Sequence, residues 1–145
     1  MAVAKDLLRG RERSEIYSIS ADATVFEAQE SLSKHNIGAL LVMNPGGEIE
    51  GILSERDIVR KLDMQTNAAN KTKVGEIMTS KVLYVEAGDS LEDCMALMNE
   101  KGIRHLPVFE GGMLIGMVSV RDVLRTIISE QQIVISHLEH YIRNG

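Results

Sequence analysis

The chain has 145 residues, with 16 Lys and Arg against 21 Asp and Glu, for a formal net charge of −5. That balance argues against nucleic acid or an anionic membrane surface as the main partner. Hydrophobic residues make up 44 % but aromatics only 3 %, so the core must come from Ile, Leu and Val, with Met filling irregular gaps.

Val3–Leu8 reads as a short lead-in helix, without the long apolar run of a secretory leader. Arg9–Arg13 is a charged loop and Ile16–Ile19 a short strand. Thr24 opens a helix: it stands three residues before Glu27, and Val25, Ala28 and Leu32 recur at helical spacing. Lys34-His35 reads as a solvated helix end. Ile37–Met43 and Ile49–Leu53 form a hairpin around Pro45-Gly46-Gly47. Ser54 opens a helix to about Leu62, and the polar stretch Asp63–Lys73 is a linker. The second half runs through the same order: helix Val74–Met78, strand Val82–Val85, helix Ser90–Lys101, strands Ile103–Phe109 and Met113–Val118, then a helix from Ser119.

Two features of the second half stand apart. Cys94 is the single cysteine and permits no internal disulfide, which suits a reducing compartment. Its place in an apolar stripe predicts a buried structural role. The tail Leu124–Ile142 has neither Gly nor Pro and carries an apolar stripe through Ile127, Ile128, Val134, Ile135, Leu138 and Ile142. Such a stripe needs cover, from the lead-in helix or from another subunit. No apolar run approaches the roughly 20 residues of a membrane helix. A soluble, cytoplasmic protein is therefore expected.

The halves are an internal repeat, and a repeat decides the fold. Gly51-Ile52-Leu53-Ser54-Glu55-Arg56-Asp57 returns 65 residues later as Gly116-Met117-Val118-Ser119-Val120-Arg121-Asp122. Upstream, Ile37–Val42 lies over Ile103–Val108 at an offset of 66. The change of offset falls in the hairpin turns, where insertions are absorbed best. The repeats divide as residues 1–66 and 67–145, the second with a helical extension.

Ser54 and Ser119 stand where strand gives way to helix. Free backbone N–H groups and the helix dipole there favour an anion. Asp57 and Asp122 lie one turn on, and Arg56 and Arg121 offer charge-assisted contacts to phosphate. The same Ser-x-x-Asp is also a capping box that needs no ligand. The two readings are compatible. His137 and His140 lack a third metal ligand at a clear spacing. There is no P-loop, dinucleotide fingerprint or nucleophile elbow. A binding protein, not an enzyme, is expected.

Order, spacing and the paired Gly-h-h-Ser-x-x-Asp motifs (h, apolar) together resemble tandem CBS domains, the Bateman module, of the stand-alone signal-transduction type. The resemblance covers about residues 1–130. It implies an α+β fold of two β-α-β-β-α repeats packed by pseudo-twofold symmetry, with an extended C-terminal helix. It implies clefts between the repeats that bind an adenine nucleotide: AMP, ADP, ATP or NAD. Asp57 and Asp122 would take the ribose hydroxyls. Thr79, Leu83, Ile103 and Arg104 would face Ser54 and Asp57, whereas Ile16, Tyr17, Ile37 and Gly38 would face Ser119 and Asp122. Thr79 equally reads as a helix end, and Arg104 and His105 as structural. A homodimer and an unidentified protein target are the partners implied. A ligand-free interaction or dimerisation module and an S-adenosylmethionine binder are the alternatives.

Overall fold

The computed structural model describes residues 2–10, 16–62 and 68–144. Parts of the predicted Arg9–Arg13 loop and Asp63–Lys73 linker lie outside them. The chain forms two compact units, Ser14–Val82 and Met1–Arg13 joined with Leu83–Gly145. The first is contiguous and the second is split. Relative to the sequence repeats, the lead-in segments have changed places: Ala4–Leu8 belongs with the second repeat's strands, and Val74–Ile77 with the first's.

The contiguous unit holds β1 (Ser18–Ile19), α1 (Val25–His35), β2 (Ala39–Met43), β3 (Ile49–Ser54), α2 (Glu55–Lys61) and α3 (Val74–Ile77). Its sheet has the order β1-β2-β3, parallel then antiparallel. The predicted Ile16–Ile19 strand shrinks to two residues, paired with Leu41 and Val42. The Thr24 cap forms as read, its hydroxyl accepting from Glu27 N at 3.1 Å. Asn36 then ends α1 in the left-handed conformation, φ 53°. One face of α1 buries Val25, Ala28 and Leu32 against Leu40, Val42 and Leu53. Val74 and Ile77 of α3 complete that core.

The split unit repeats this plan with β4 (Val85–Glu86), α4 (Leu91–Lys101), β5 (His105–Glu110), β6 (Met113–Ser119) and α5 (Val120–Asn144), in sheet order β4-β5-β6. Ser90 caps α4 by accepting from Asp93 N at 3.0 Å. The predicted Val82–Val85 strand is reduced to Val85–Glu86, paired with Val108 and Phe109. Leu41 N in the other unit donates to Tyr17 O at 3.2 Å. Its repeat equivalent here is Pro107, which has no N–H to give. The predicted lead-in helix is a 3-10 helix, Ala4–Leu8. It docks through Ala4 N to Asp89 O (2.8 Å) and Lys5 N to Ala87 O (3.0 Å). Val74 N and Gly75 N make the matching bonds to Ala23 O and Ala21 O in the contiguous unit.

Both cores are apolar: among the described residues no polar or charged side chain is buried. Cys94 is buried between Leu91 and Met98 on the inner face of α4. Burial, with the charges of Asp89 and Asp93 adding to it, pushes its thiol up to about 11. No helix of the described residues is long and apolar enough to cross a membrane.

Candidate functional site

The two motifs occupy the same place in their units. Each glycine lies on the last strand, under the lead-in segment that has crossed from the other repeat. A β-carbon at Gly51 would fall 2.8 Å from Thr79 O and 2.8 Å from Met78 Sδ. Ile52 and Thr79 form a two-way backbone bridge there, at 3.0 and 2.8 Å. At Gly116 a β-carbon would meet both methyls of Leu8 at 2.8 Å. The motif glycine therefore makes room for packing. The sequence pattern of one repeat does not reveal this, because the packing chain arrives from far away.

Ser54 caps α2. Its hydroxyl accepts from Asp57 N at 3.2 Å, while Asp57 Oδ2 accepts from Ser54 N (3.0 Å) and Ser54 Oγ (3.1 Å). The other carboxylate oxygen, Oδ1, accepts from Thr79 Oγ1 at 3.1 Å and is 3.1 Å from Lys61 Nζ. Lys61 also donates to Ile77 O at the end of α3 (3.1 Å). The Asp57 side chain is 12 % exposed. The carboxylate thus ties together the start of α2, the chain after α3 and a lysine one turn along. Thr79 does not end the helix, which closes at Met78; it bridges to Ile52 and directs its hydroxyl to Asp57.

The second motif has the same cap and a different surround. Asp122 Oδ2 accepts from Ser119 N at 2.9 Å, and Ser119 Oγ accepts from Asp122 N at 3.1 Å. Thr126 stands in the sequence where the first motif has Lys61.

The helix starts are less open than the sequence reading holds. Glu55 N donates to Gly38 O at 3.0 Å, and Val120 N donates to Arg104 O at 2.8 Å. Together with the serine caps, this gives the first and third amides of each motif helix partners inside their own unit. An incoming anion would therefore rely more on the dipole and on Arg56 or Arg121 than on free amides.

The contiguous unit brings together Ser54, Arg56, Asp57, Thr79, Ile16, Tyr17, Ile37 and Gly38; the split unit holds Leu83, Ile103, Arg104, Ser119, Arg121 and Asp122. Tyr17 and Ile37 are half-buried against the first core, Leu83 and Ile103 against the second. Arg104 is exposed. His35 corrects the reading of a solvated helix end: its ring stacks on Tyr17 with centroids 3.8 Å apart. One end of α1 thereby covers a face of a residue assigned to the base site. An aromatic so far away in sequence gave no signal of this.

The profile of the CBS domain family matches residues 4–63 and 74–129. The chain belongs to the CBS-domain family, as a tandem pair, and is a regulatory module of that family. It is 39 % identical over 130 residues to the mitochondrial CBS domain-containing protein CBSX3 of Arabidopsis thaliana, covering 87 % of this chain and 63 % of that protein. The chain thus spans less than two thirds of that relative's length. It is also similar to the solved structure of a signal-transduction protein with CBS domains from Burkholderia ambifaria: TM-score 0.83, 40 % identity, 90 % of this chain and 96 % of that one. A hexameric CBS-CP12 protein from bloom-forming cyanobacteria gives TM-score 0.73 at 26 % identity, over 86 % of this chain and 70 % of that one.

Proposed function

We propose that the module is a cytoplasmic sensor of an adenine nucleotide (AMP, ADP, ATP or NAD) and signals to a protein target through a change of conformation or assembly. The observation that carries this is the pair of Ser-x-x-Asp caps, one per unit, in a chain of a family whose domains commonly bind adenine nucleotides. A carboxylate accepts from both hydroxyls of a ribose, the role given to Asp57 and Asp122. Ser54 with Arg56, and Ser119 with Arg121, take phosphate. The base falls to the strand-end residues Thr79, Ile16, Tyr17, Ile37 and Gly38 in one unit, and Leu83, Ile103 and Arg104 in the other. Binding that stiffens the module shifts its population of conformers, which is the signal.

A thermal melt of the protein with AMP, ADP, ATP, NAD, S-adenosylmethionine and GTP tests the reading. A ligand bound only by the native state stabilises it by about 2.7 kcal/mol at a hundredfold excess over Kd. A dose-dependent rise with adenine ligands and none with GTP is expected. A flat response at millimolar concentration would exclude the sensor. A response to S-adenosylmethionine alone would replace the nucleotide with that ligand.

One observation favours a second reading. The Asp57 carboxylate already meets Thr79 and Lys61, so its motif is complete as a structural clamp. In that case this half of the pair is a ligand-free interaction module and adds nothing to the melt response.

A further inference from the structure

The outer part of α5 has no role in the nucleotide site. From Ile128 to Arg143 every residue is exposed. Sixteen residues, about 24 Å of helix, therefore run past the last core contact of the split unit, Ile127. A lone helix of that length is marginal in water. Ile133, Val134 and Tyr141 are exposed to one side, but the other apolar residues fall in line. Leu124, Ile128, Gln131, Ile135, Leu138 and Ile142 follow alternating steps of four and three, the a/d seam of a heptad coiled coil. The five apolar members are 43–79 % exposed. Beside the seam, one heptad apart, run Arg125, Gln132 and Glu139. The edge is basic at one end and acidic at the other.

We propose that this seam pairs antiparallel with the same seam of a second copy of the chain. Reversal about a twofold axis sets Leu124 against the partner's Ile142, and Ile128 against the partner's Leu138. Gln132 lies beside its own copy, and Arg125 meets the partner's Glu139. Twofold symmetry makes that ion pair twice and closes the assembly at two. The shallow depression lined by Val120, Leu124 and Ile128, with Arg121 and Arg125 also lining it, receives the partner's Ile142. A parallel pairing would leave Arg125 and the partner's Glu139 about 21 Å apart along the axis and turn Glu139 toward an apolar flank. The charges decide for the antiparallel register. This inference does not rest on the nucleotide reading, and its test contains no nucleotide.

The test is light scattering on the full chain across a dilution series. The wild type is expected to be a dimer. Leu138→Asp, at an exposed position beyond the core, is expected to give a monomer whose circular dichroism loses helix signal for the outer part of α5 alone. Arg125→Glu and Glu139→Arg are each expected to weaken the dimer several-fold, and the double reversal to restore it. A monomeric wild type, a dimer indifferent to Leu138→Asp, or a double reversal that fails to recover would each overturn the pairing. So would a disulfide-linked dimer of Ile142→Cys, since those two positions meet only in parallel and Cys94 is buried.

Discussion

Gly51 and Gly116 occupy equivalent places, yet what presses on them differs in kind. At Gly51 the neighbour is a backbone carbonyl held in a two-way bridge; at Gly116 it is the branched end of a leucine. A carbonyl in a bridge cannot turn aside, and a leucine can. Overpacking costs roughly 1–3 kcal/mol, and Gly51→Ala should fall in the upper part of that range. Gly116→Ala should cost less. Urea denaturation of the two variants side by side gives the comparison. Cys94 supplies a pH-dependent prediction. Its thiol stays neutral in the fold to about 11 against an ordinary 9.0. Stability tied to it is present below pH 9 and lost as pH rises from 9 to 11. Cys94→Ser titrated over that window should lack that part of the alkaline loss. Native protein at pH 8 should resist iodoacetamide until denaturant is added.

At the scale of elements, the helix caps are separable from the motif clamp. Thr24→Ala and Ser90→Ala each remove one capping acceptor and should cost about 1 kcal/mol. Ser54→Ala removes the cap and also a donor to Asp57, so a larger loss is expected in the same melt. Elements with local signals were readable in advance. Caps at Thr24, Ser54 and Ser90 and the turn residues between paired strands set the boundaries of the helices and hairpins to within a few residues. Readings that needed a distant neighbour were not available. The stack of His35 on Tyr17 joins residues 18 positions apart, and no periodicity encodes it. The strands β1 and β4 came out at two residues each, paired only with Leu41–Val42 and Val108–Phe109. The candidate site was legible as far as Ser-x-x-Asp at two helix starts; Lys61 and Thr79 as companions of Asp57 depend on tertiary placement.

For the whole molecule, the exchange of lead-in segments predicts where damage spreads. Ala4, Leu7 and Leu8 pack in the core of the split unit. Deleting residues 2–10 should therefore strip protection from β4, β5 and β6, far along the chain from the deletion. The strands β1, β2 and β3, next in sequence to the deletion, should keep theirs. Hydrogen exchange read segment by segment distinguishes this from a general loss. Assignment by sequence repeat alone would put the damage in the wrong half.

The same exchange has a consequence during synthesis on the ribosome. The unit Ser14–Val82 is one uninterrupted stretch, so everything its core needs has been made once Val82 emerges. The other unit needs its first residues and its last strands together. Its opening segment must wait while the intervening chain is made, and must then be captured across the loop of the finished unit. Closing a long loop costs only slowly more as it lengthens, and a folded unit within it shortens the span further. Translation order thus completes the middle of the chain before its two ends can meet.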